Sequence, residues 1–256
     1  MKKSNRHQKI DMEFLSSAPQ PSVSIIVPGL NEAGNIEKAV LVIIEALKKQ
    51  RINDYEILLI DDGSTDGMDK IVDRMTTEND RLRSFHNPTP KGLGYNFRTG
   101  VFLAGKDYVG WFPGDNEVLP ESINNTFSQI GKADAIVAYT ANPWIRPLYR
   151  RLLSTAYTFT FNAVFGLQLK YFNGACFFRR EALKDVVMTT DSPAYMAEIL
   201  VQLIKKNGTT YVEVPHYIKA REYGRSSVLR WKNVYMIGKT ILSILPRIYS
   251  RSRGRG

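Results

Sequence analysis

Four short polar segments carry the residue types that could take part in catalysis or ligand binding. Carboxylates occur in pairs at Asp61-Asp62 and at Asp115 and Glu117, which are two residues apart. Such pairs suit hydrogen bonds to a base or ribose, or a hard cation such as Mg²⁺ or Mn²⁺ that shares its coordination with substrate phosphates. The other segments are Asn31-Glu32 and Lys91-Gly92-Leu93-Gly94, a weak phosphate-loop pattern. Taken alone, each segment is also typical of a helix cap or a turn.

Apolar strands precede these segments and must position them. Short apolar runs predict strands, and apolar residues with a period near 3.6 predict helices. The predicted strands are 23–27, 55–60, 82–86, 108–112, 135–139, 175–178 and 211–218. The predicted helices are 36–50 with Asn35 as N-cap, 68–77, one opened by the glycine segment and ending near 104, 121–130, 146–166 and 195–206.

The alternation of strands and helices predicts an α/β fold, with a mostly parallel sheet and helices on both faces. Ligands of such sheets bind beyond the carboxyl ends of the strands. The loops 28–35, 61–67 and 113–120 are therefore expected to meet at one edge of the sheet. In an extended loop, the spacing of Asp115 and Glu117 would turn both carboxylates to one side.

Positive charge is concentrated near the carboxyl end. The chain has a formal net charge of +10, of which residues 219–256 carry +9 and all others +1. Such a segment favours anionic lipid or nucleic acid, but no recognised nucleic-acid module accompanies it, so we expect no nucleic-acid partner. A hydrophobic content of 43% excludes a disordered or collagen-like chain, and the single Cys176 excludes a disulfide scaffold.

Three parts are expected along the chain: a flexible leader at 1–21, one domain at 22–227 and a basic arm at 228–256. The arm has apolar residues on one helical face, which are Val234, Ile237, Ile241, Leu245 and Ile248. An amphipathic basic helix of this kind can lie in a membrane interface or pack on its own domain. No signal peptide or spanning segment is recognised, so we expect a cytoplasmic protein held at the membrane periphery.

Taken together, the polar segments resemble those of a known family. In order and spacing they are similar to the family 2 inverting glycosyltransferases, which have the GT-A fold, a Rossmann-like α/β architecture. The matching motifs are Val27-Pro28-x-Leu30-Asn31-Glu32, Asp61-Asp62-Gly63-Ser64-Thr65-Asp66, Lys91-Gly92-Leu93-Gly94 and Gly114-Asp115-Asn116-Glu117. Within the family, the chain resembles the dolichyl- and polyprenyl-phosphate mannosyl- and glucosyltransferases. The motifs that carry this closer resemblance are Arg150-x-x-x-Ser154 and Glu213-Val214-Pro215 followed by Arg221-x-x-Gly224-x-Ser226.

The resemblance implies roles for individual residues. Arg150 and Ser154 would bind the acceptor phosphate, and Arg221 would assist the leaving group. Asp115 and Glu117 would hold the metal, although Pro113 stands where the family's Asp-x-Asp motif has its first Asp. The implied nucleotide-binding residues are Pro28, Leu30, Glu32, Asp61, Asp62, Lys91 and Asp115.

The implied function is the metal-dependent transfer of a sugar from a nucleotide-diphosphate sugar to a polyprenyl phosphate at a membrane surface. Because the acceptor oxygen is already anionic, no general base is required. One alternative is a glycan or other hydroxyl acceptor, for which Glu198 or Asp191 would be the candidate base. A second alternative is a catalytically silent sugar-nucleotide-binding protein, which the missing Asp of the metal motif suggests.

Overall fold

A computed structural model of the chain describes residues 21–205, 209–219 and 231–249. The strands in these ranges are β1 (Val23–Gly29), β2 (Tyr55–Asp61), β3 (Leu82–His86), β4 (Tyr108–Trp111), β5 (Ala135–Thr140), β6 (Phe177–Arg179) and β7 (Tyr211–His216). The α-helices are α1 (Ile36–Lys49), α2 (Met68–Glu78), α3 (Leu93–Leu103), α4 (Pro120–Phe127), α5 (Leu148–Phe165), α6 (Tyr195–Lys205) and α7 (Trp231–Tyr249). Each predicted element within these ranges is present.

Some of the predictions fall outside the described residues. These are the leader apart from Pro21, the Arg221 motif, and the arm at 228–230 and 250–256. The predicted boundary at 22 and the arm's helix fall within the described residues.

All seven strands form one sheet, in the order β3-β2-β1-β4-β6-β5-β7. Strand β6 pairs antiparallel with both β4 and β5, and the other pairs are parallel. Helices cover both faces. Ile26 faces Gly100 of α3, whereas Gly29, three residues further along β1, faces Met68 of α2. Residues an odd number apart in a strand point to opposite faces, so the predicted α/β fold is confirmed.

Helix α7 packs on the domain through its apolar face, which the sequence analysis considered for membrane binding. Ile244 is completely buried, and four members of the predicted apolar stripe contact the core; they are Ile237, Ile241, Leu245 and Ile248. The sequence allowed this stripe to lie in a membrane interface or to pack on its own domain. In the structure it packs on the domain. The reason is local: α6 presents apolar residues on its outer side, and α7 covers them.

A buried ion pair fixes the same helix. Glu198 of α6 is fully buried, and its Oε1 lies 2.9 Å from a guanidinium nitrogen of Arg247 on α7. The Glu198 carboxylate also accepts the backbone N–H groups of Thr189 and Thr190, at 2.9 and 3.1 Å. A carboxylate so enclosed and paired cannot reach a substrate hydroxyl. Glu198 was therefore wrong as a candidate base, and its role is structural.

No helix in the described part of the chain has the length and apolar character needed to cross a bilayer.

Candidate functional site

Three acid-bearing loops meet at the carboxyl edge of the sheet, as predicted. The N–H of Asp62, after β2, donates to the carbonyl of Gly29 at 2.9 Å. The N–H of Gly114, after β4, donates to the carbonyl of Pro28 at 3.1 Å. The end of β1 is thus bonded to both neighbouring loops, and the three loops form one continuous surface.

Asn31 ties the first loop to the second. Its N–H donates to Ser64 Oγ at 2.9 Å, and its Oδ1 accepts the N–H of Thr65 at 2.8 Å. Asn31 has a φ of 57°, a left-handed conformation that asparagine tolerates better than most residues. Ala33 adds a further bond, from its N–H to Asp66 Oδ2 at 2.9 Å. Because these bonds are all within the protein, the loop is held in place without a ligand.

Three of the residues expected to bind the nucleotide lie at and just after the end of β1 and differ in exposure. Pro28 is buried in β1, Glu32 is also buried, and Leu30 is 42% exposed. Glu32 Oε2 accepts the side-chain amide of Asn35 at 2.7 Å. Asn35 therefore occupies the N-cap position of α1 without making the predicted side-chain cap. Leu30 is the one of the three that offers an apolar surface to a ligand.

Asp61 is buried and belongs to a chain of charged groups. Its Oδ1 accepts the N–H of Ser64 at 3.0 Å, and its Oδ2 lies 3.3 Å from Nδ1 of His86. The other ring nitrogen of His86 lies 2.9 Å from Asp73. Burial lowers the pKa of His86, but the hydrogen bonds to Asp73 and Asp61 outweigh it, so the pKa is raised above its ordinary value. The edge thus holds a histidine between two carboxylates.

Asp62 holds the glycine segment rather than projecting freely into a pocket. Its carboxylate accepts the N–H groups of Lys91 and Gly92 at 2.8 and 3.0 Å, and the side-chain amide of Asn87 at 2.9 Å. Gly92 has a φ of 91°, which a residue with a side chain would adopt only at a cost. The sequence did not indicate this role of Asp62 or the part that Asn87 plays in it. The side chain of Lys91 is exposed beside them.

Asp191, the other candidate base, lies next to the glycine segment. A Cβ on Gly94 would come within 2.8 Å of the Asp191 Cα, so the two backbones are in close contact. The Asp191 carboxylate is 2.8 Å from a guanidinium nitrogen of Arg98 and is 44% exposed. Unlike Glu198, it is open to solvent at this edge.

Asp115 and Glu117 lie in a turn, not in an extended loop. Asp115 Oδ1 accepts the N–H of Glu117 at 3.0 Å, and Asn116 between them has a φ of 55°. The expected extended loop, in which alternation would turn both carboxylates to one side, is therefore wrong, because the backbone folds back on itself between the two residues. Both side chains are partly exposed, and the Glu117 carbonyl accepts the N–H of Lys219 at 2.9 Å.

This turn suits a metal that takes few protein ligands. Within residues 21–205, 209–219 and 231–249, no three His, Cys, Asp or Glu side chains form a metal-binding cluster. Mg²⁺ and Mn²⁺ accept one or two carboxylates and complete their coordination with water and substrate phosphates. The oxygen donors of Asp115 and Glu117 fit that requirement.

Arg150 and Ser154 lie one turn apart on α5, and both are partly exposed. The segment that leads to α5 is bonded to the turn of Asp115 through Ile218. Asn142 exchanges two hydrogen bonds with the backbone of Ile218, at 2.7 and 3.0 Å, and Ile218 forms a β-bridge with Val118. Helix α5 therefore starts from the same edge as the acid-bearing loops.

Comparisons with known proteins agree with this architecture. The sequence profile of the family described as "Glycosyl transferase family 2" matches residues 24–187, which is more than half of the chain. The chain is 29% identical over 115 residues to "Glycosyltransferase GlyG" of Streptococcus pneumoniae. It is also 29% identical over 118 residues to "GalNAc(5)-diNAcBac-PP-undecaprenol beta-1,3-glucosyltransferase" of Campylobacter jejuni. The matches cover 45% and 46% of this chain, but only 37% of each relative.

A solved structure has the same fold at low sequence identity. It is glucosyl-3-phosphoglycerate synthase from Mycobacterium tuberculosis in complex with Mn²⁺ and uridine-diphosphate-glucose. The TM-score is 0.60 at 17% identity, over 93% of this chain and 81% of the other.

Proposed function

The chain belongs to glycosyl transferase family 2, and within that family we propose that it transfers a sugar from a nucleotide-diphosphate sugar to the phosphate of a polyprenyl lipid at a membrane surface. The observation that carries the proposal is one shared edge. Three acid-bearing loops converge there, and the helix of Arg150 and Ser154 starts beside them.

The donor would lie across the loops after β1, β2 and β4. Leu30 offers an apolar contact to the base, and Asp61 ends the neighbouring strand β2, where it pairs with Gly29. Asp62 keeps the backbone of the glycine segment in place, with the Lys91 ammonium available for a phosphate. The Mycobacterium structure, which holds a nucleotide sugar with Mn²⁺, supports a donor of this class.

The Asp115 turn would hold the divalent metal, through the carboxylates of Asp115 and Glu117. A cation bound there would neutralise charge that accumulates on the departing nucleotide diphosphate. The chain's own part is to fix the turn, through the Asp115–Glu117 hydrogen bond and the bond from Lys219. Arg221 follows Lys219 closely in the sequence and would add positive charge on the diphosphate side.

The acceptor would be bound by α5. Arg150 can grip a phosphate through two parallel N–H bonds, and the Ser154 hydroxyl can donate a third from the next turn. A phosphate oxygen is anionic and attacks without a general base. The name of the Campylobacter relative includes an undecaprenol-linked substrate, which supports an acceptor attached to a lipid. Its β-1,3 linkage is a bond to a sugar hydroxyl, so the phosphate as acceptor group rests on Arg150 and Ser154 alone.

The test is a turnover assay with nucleotide sugars, Mn²⁺ or Mg²⁺, and a short water-soluble polyprenyl phosphate. We expect Asp115→Asn to lower turnover on the order of 100-fold, since the variant would lose the bound cation that neutralises the negative charge of the leaving group. Asp80→Asn, an exposed acid next to the opposite edge, should have no effect. Arg150→Ala should raise the acceptor KM about 10-fold or more, while its exposed neighbour Arg151→Ala leaves it unchanged.

Three results would contradict the proposal. Transfer to a sugar hydroxyl that ignores Arg150→Ala, but is lost in Asp191→Asn, would establish the hydroxyl-acceptor alternative. Nucleotide-sugar binding without turnover on any acceptor would establish a silent binding protein. Undiminished metal-dependent turnover in Asp115→Asn would remove this residue from the metal site.

A further inference from the structure

The outward side of α5 and the turn before it is apolar and exposed. Trp144 is 68% exposed, Leu148 64%, Leu152 62% and Phe159 72%. At 3.6 residues per turn, the last three lie within one narrow sector of the helix. Soluble proteins rarely present so many large apolar side chains together unless the surface binds something. We call Trp144, Leu148, Leu152 and Phe159 the outer face.

The other side of the same helix faces the domain. Phe161 and Phe165 are its buried residues, and the helical period puts Arg150 and Ser154 on their side. The helix thus separates two surfaces, with the proposed phosphate-binding pair inward and the outer face turned away from the protein. This arrangement leaves the outer face without a protein partner in the described part of the chain.

The charged side chains of α5 and of the segment before it are all positive. Residues 141–165 include three arginines and not one Asp or Glu. Arg151 is exposed on α5 itself, and Arg146 lies just before it, with a guanidinium nitrogen 3.3 Å from the Tyr171 hydroxyl. Trp, Phe and Leu beside arginines are the side chains that settle at the boundary between headgroups and acyl chains.

We propose that the outer face docks α5 into the interface of an anionic lipid bilayer. The docking rests on the proposed function in one respect, which is that it would bring a lipid acceptor close to the site. The docking itself requires no turnover. Charge complementarity favours lipid over a second copy of the chain, because two such faces would bring like charges together. The end of α7 is nearby, where the Tyr249 hydroxyl donates to the Val164 carbonyl of α5 at 3.3 Å.

Vesicle flotation with the full chain tests the docking. Vesicles of phosphatidylcholine mixed equally with phosphatidylglycerol should bind the protein, and phosphatidylcholine alone should bind it weakly. Leu148→Gln combined with Leu152→Gln should reduce partitioning about 10-fold or more, because both side chains would leave the acyl boundary. The matched controls are Phe102→Gln, 87% exposed on α3, and Leu242→Gln, 70% exposed on α7. Each control should bind as the parent does.

Three further measurements guard against a trivial result. The thermal midpoint should be the same in the double variant, since neither leucine is buried. Trp144 emission should shift to shorter wavelength on vesicle binding, and Trp144→Phe should remove that change. Arg151→Gln should weaken binding about fivefold on anionic vesicles.

Several outcomes would overturn the docking. They are no vesicle binding by the full chain, an equal loss in Leu242→Gln, and a dimer in light scattering that the double leucine variant dissociates. Failure of the proposed function would look different. If vesicle binding depends on the outer face but no lipid phosphate is glycosylated, the docking stands and the proposed acceptor is wrong. If the soluble acceptor is used without vesicle binding, the proposed acceptor chemistry stands and the docking is wrong.

Discussion

Helices α5 and α7 resemble each other in sequence and differ in what covers them. They have 18 and 19 residues, both mix large apolar residues with a few cations, and neither contains an acid. Helix α7 buries its apolar face against the domain, while α5 keeps most of its apolar residues exposed. An amphipathic pattern therefore identifies the apolar side of a helix but not its surroundings. The surroundings depend on what the rest of the fold leaves uncovered.

The largest difference between the two helices is expected when the ion pair of α7 is removed. Arg247→Met leaves the fully buried Glu198 without its counter-charge, so the free energy of unfolding should fall by about 3–5 kcal/mol. Arg151→Met, on the exposed side of α5, should change it by less than about 0.5 kcal/mol. Urea unfolding followed by circular dichroism measures both. If the two variants unfold at the same urea concentration, α7 is not docked through Arg247.

A matched pair of apolar substitutions gives the next largest effect. Ile244→Ala empties a fully buried position on α7 and should cost about 2–4 kcal/mol of unfolding free energy. Leu152→Ala, at 62% exposure on α5, should be close to neutral. The same unfolding experiment without lipid compares them. A large loss in Leu152→Ala would mean that α5 is covered in solution, by a second copy or by another part of the chain.

The smallest effect is a dependence of the free energy of unfolding on pH. It arises from a buried histidine of the interior, and α5 contributes nothing to it. Burial lowers the pKa of His216 from 6.5 to about 4. Below pH 6.5 the unfolded chain takes up a proton that the folded protein refuses, so stability is lost as the pH falls. The loss should be about 2 kcal/mol at pH 5 relative to neutral pH. Helix α5 contains no acid or histidine, so its charge does not change over this range.

His216→Gln isolates that contribution. The variant should lose the downward slope of stability between pH 6.5 and 5, whatever its stability at neutral pH. The two slopes are compared because His86 acts in the opposite sense. The raised pKa of His86 in the folded protein adds stability at pH values below the pKa of His86 in the unfolded chain, and this stability is lost as the pH rises. Parallel pH profiles for the parent and His216→Gln would show that His216 is protonated in the folded protein.

The sequence was sufficient where structure follows from local pattern. The middles of β1 and β2, residues 25–27 and 57–60, are apolar runs, as expected for strands covered on both faces, and the strand ends place the acid-bearing loops. The pairing of Asp62 with the glycine segment was not predictable. Its partner N–H groups are 29 and 30 residues away, and the hydrogen bonds depend on how β3 returns the chain to the edge.

The cover on α7 was unpredictable for a similar reason. Nothing in the local pattern of residues 195–205 shows that Glu198 is enclosed and therefore needs a cation. The outer face of α5 did leave a signal, since its sequence is rich in aromatic and apolar residues and lacks acids. Only the packing of Phe161 and Phe165 shows which side faces outward.

The Glu198–Arg247 pair also sets an order of events during protein synthesis. The two residues are 49 positions apart, and Arg247 is made second. At the usual rate of translation, α6 waits roughly 2–10 s for the residue that neutralises its buried carboxylate. A nascent chain that stops before α7 would leave an apolar surface and an unpaired charge open to chaperones and proteases. Helix α7 is therefore needed to complete the packing around Glu198, and that packing can close only after Arg247 has been made.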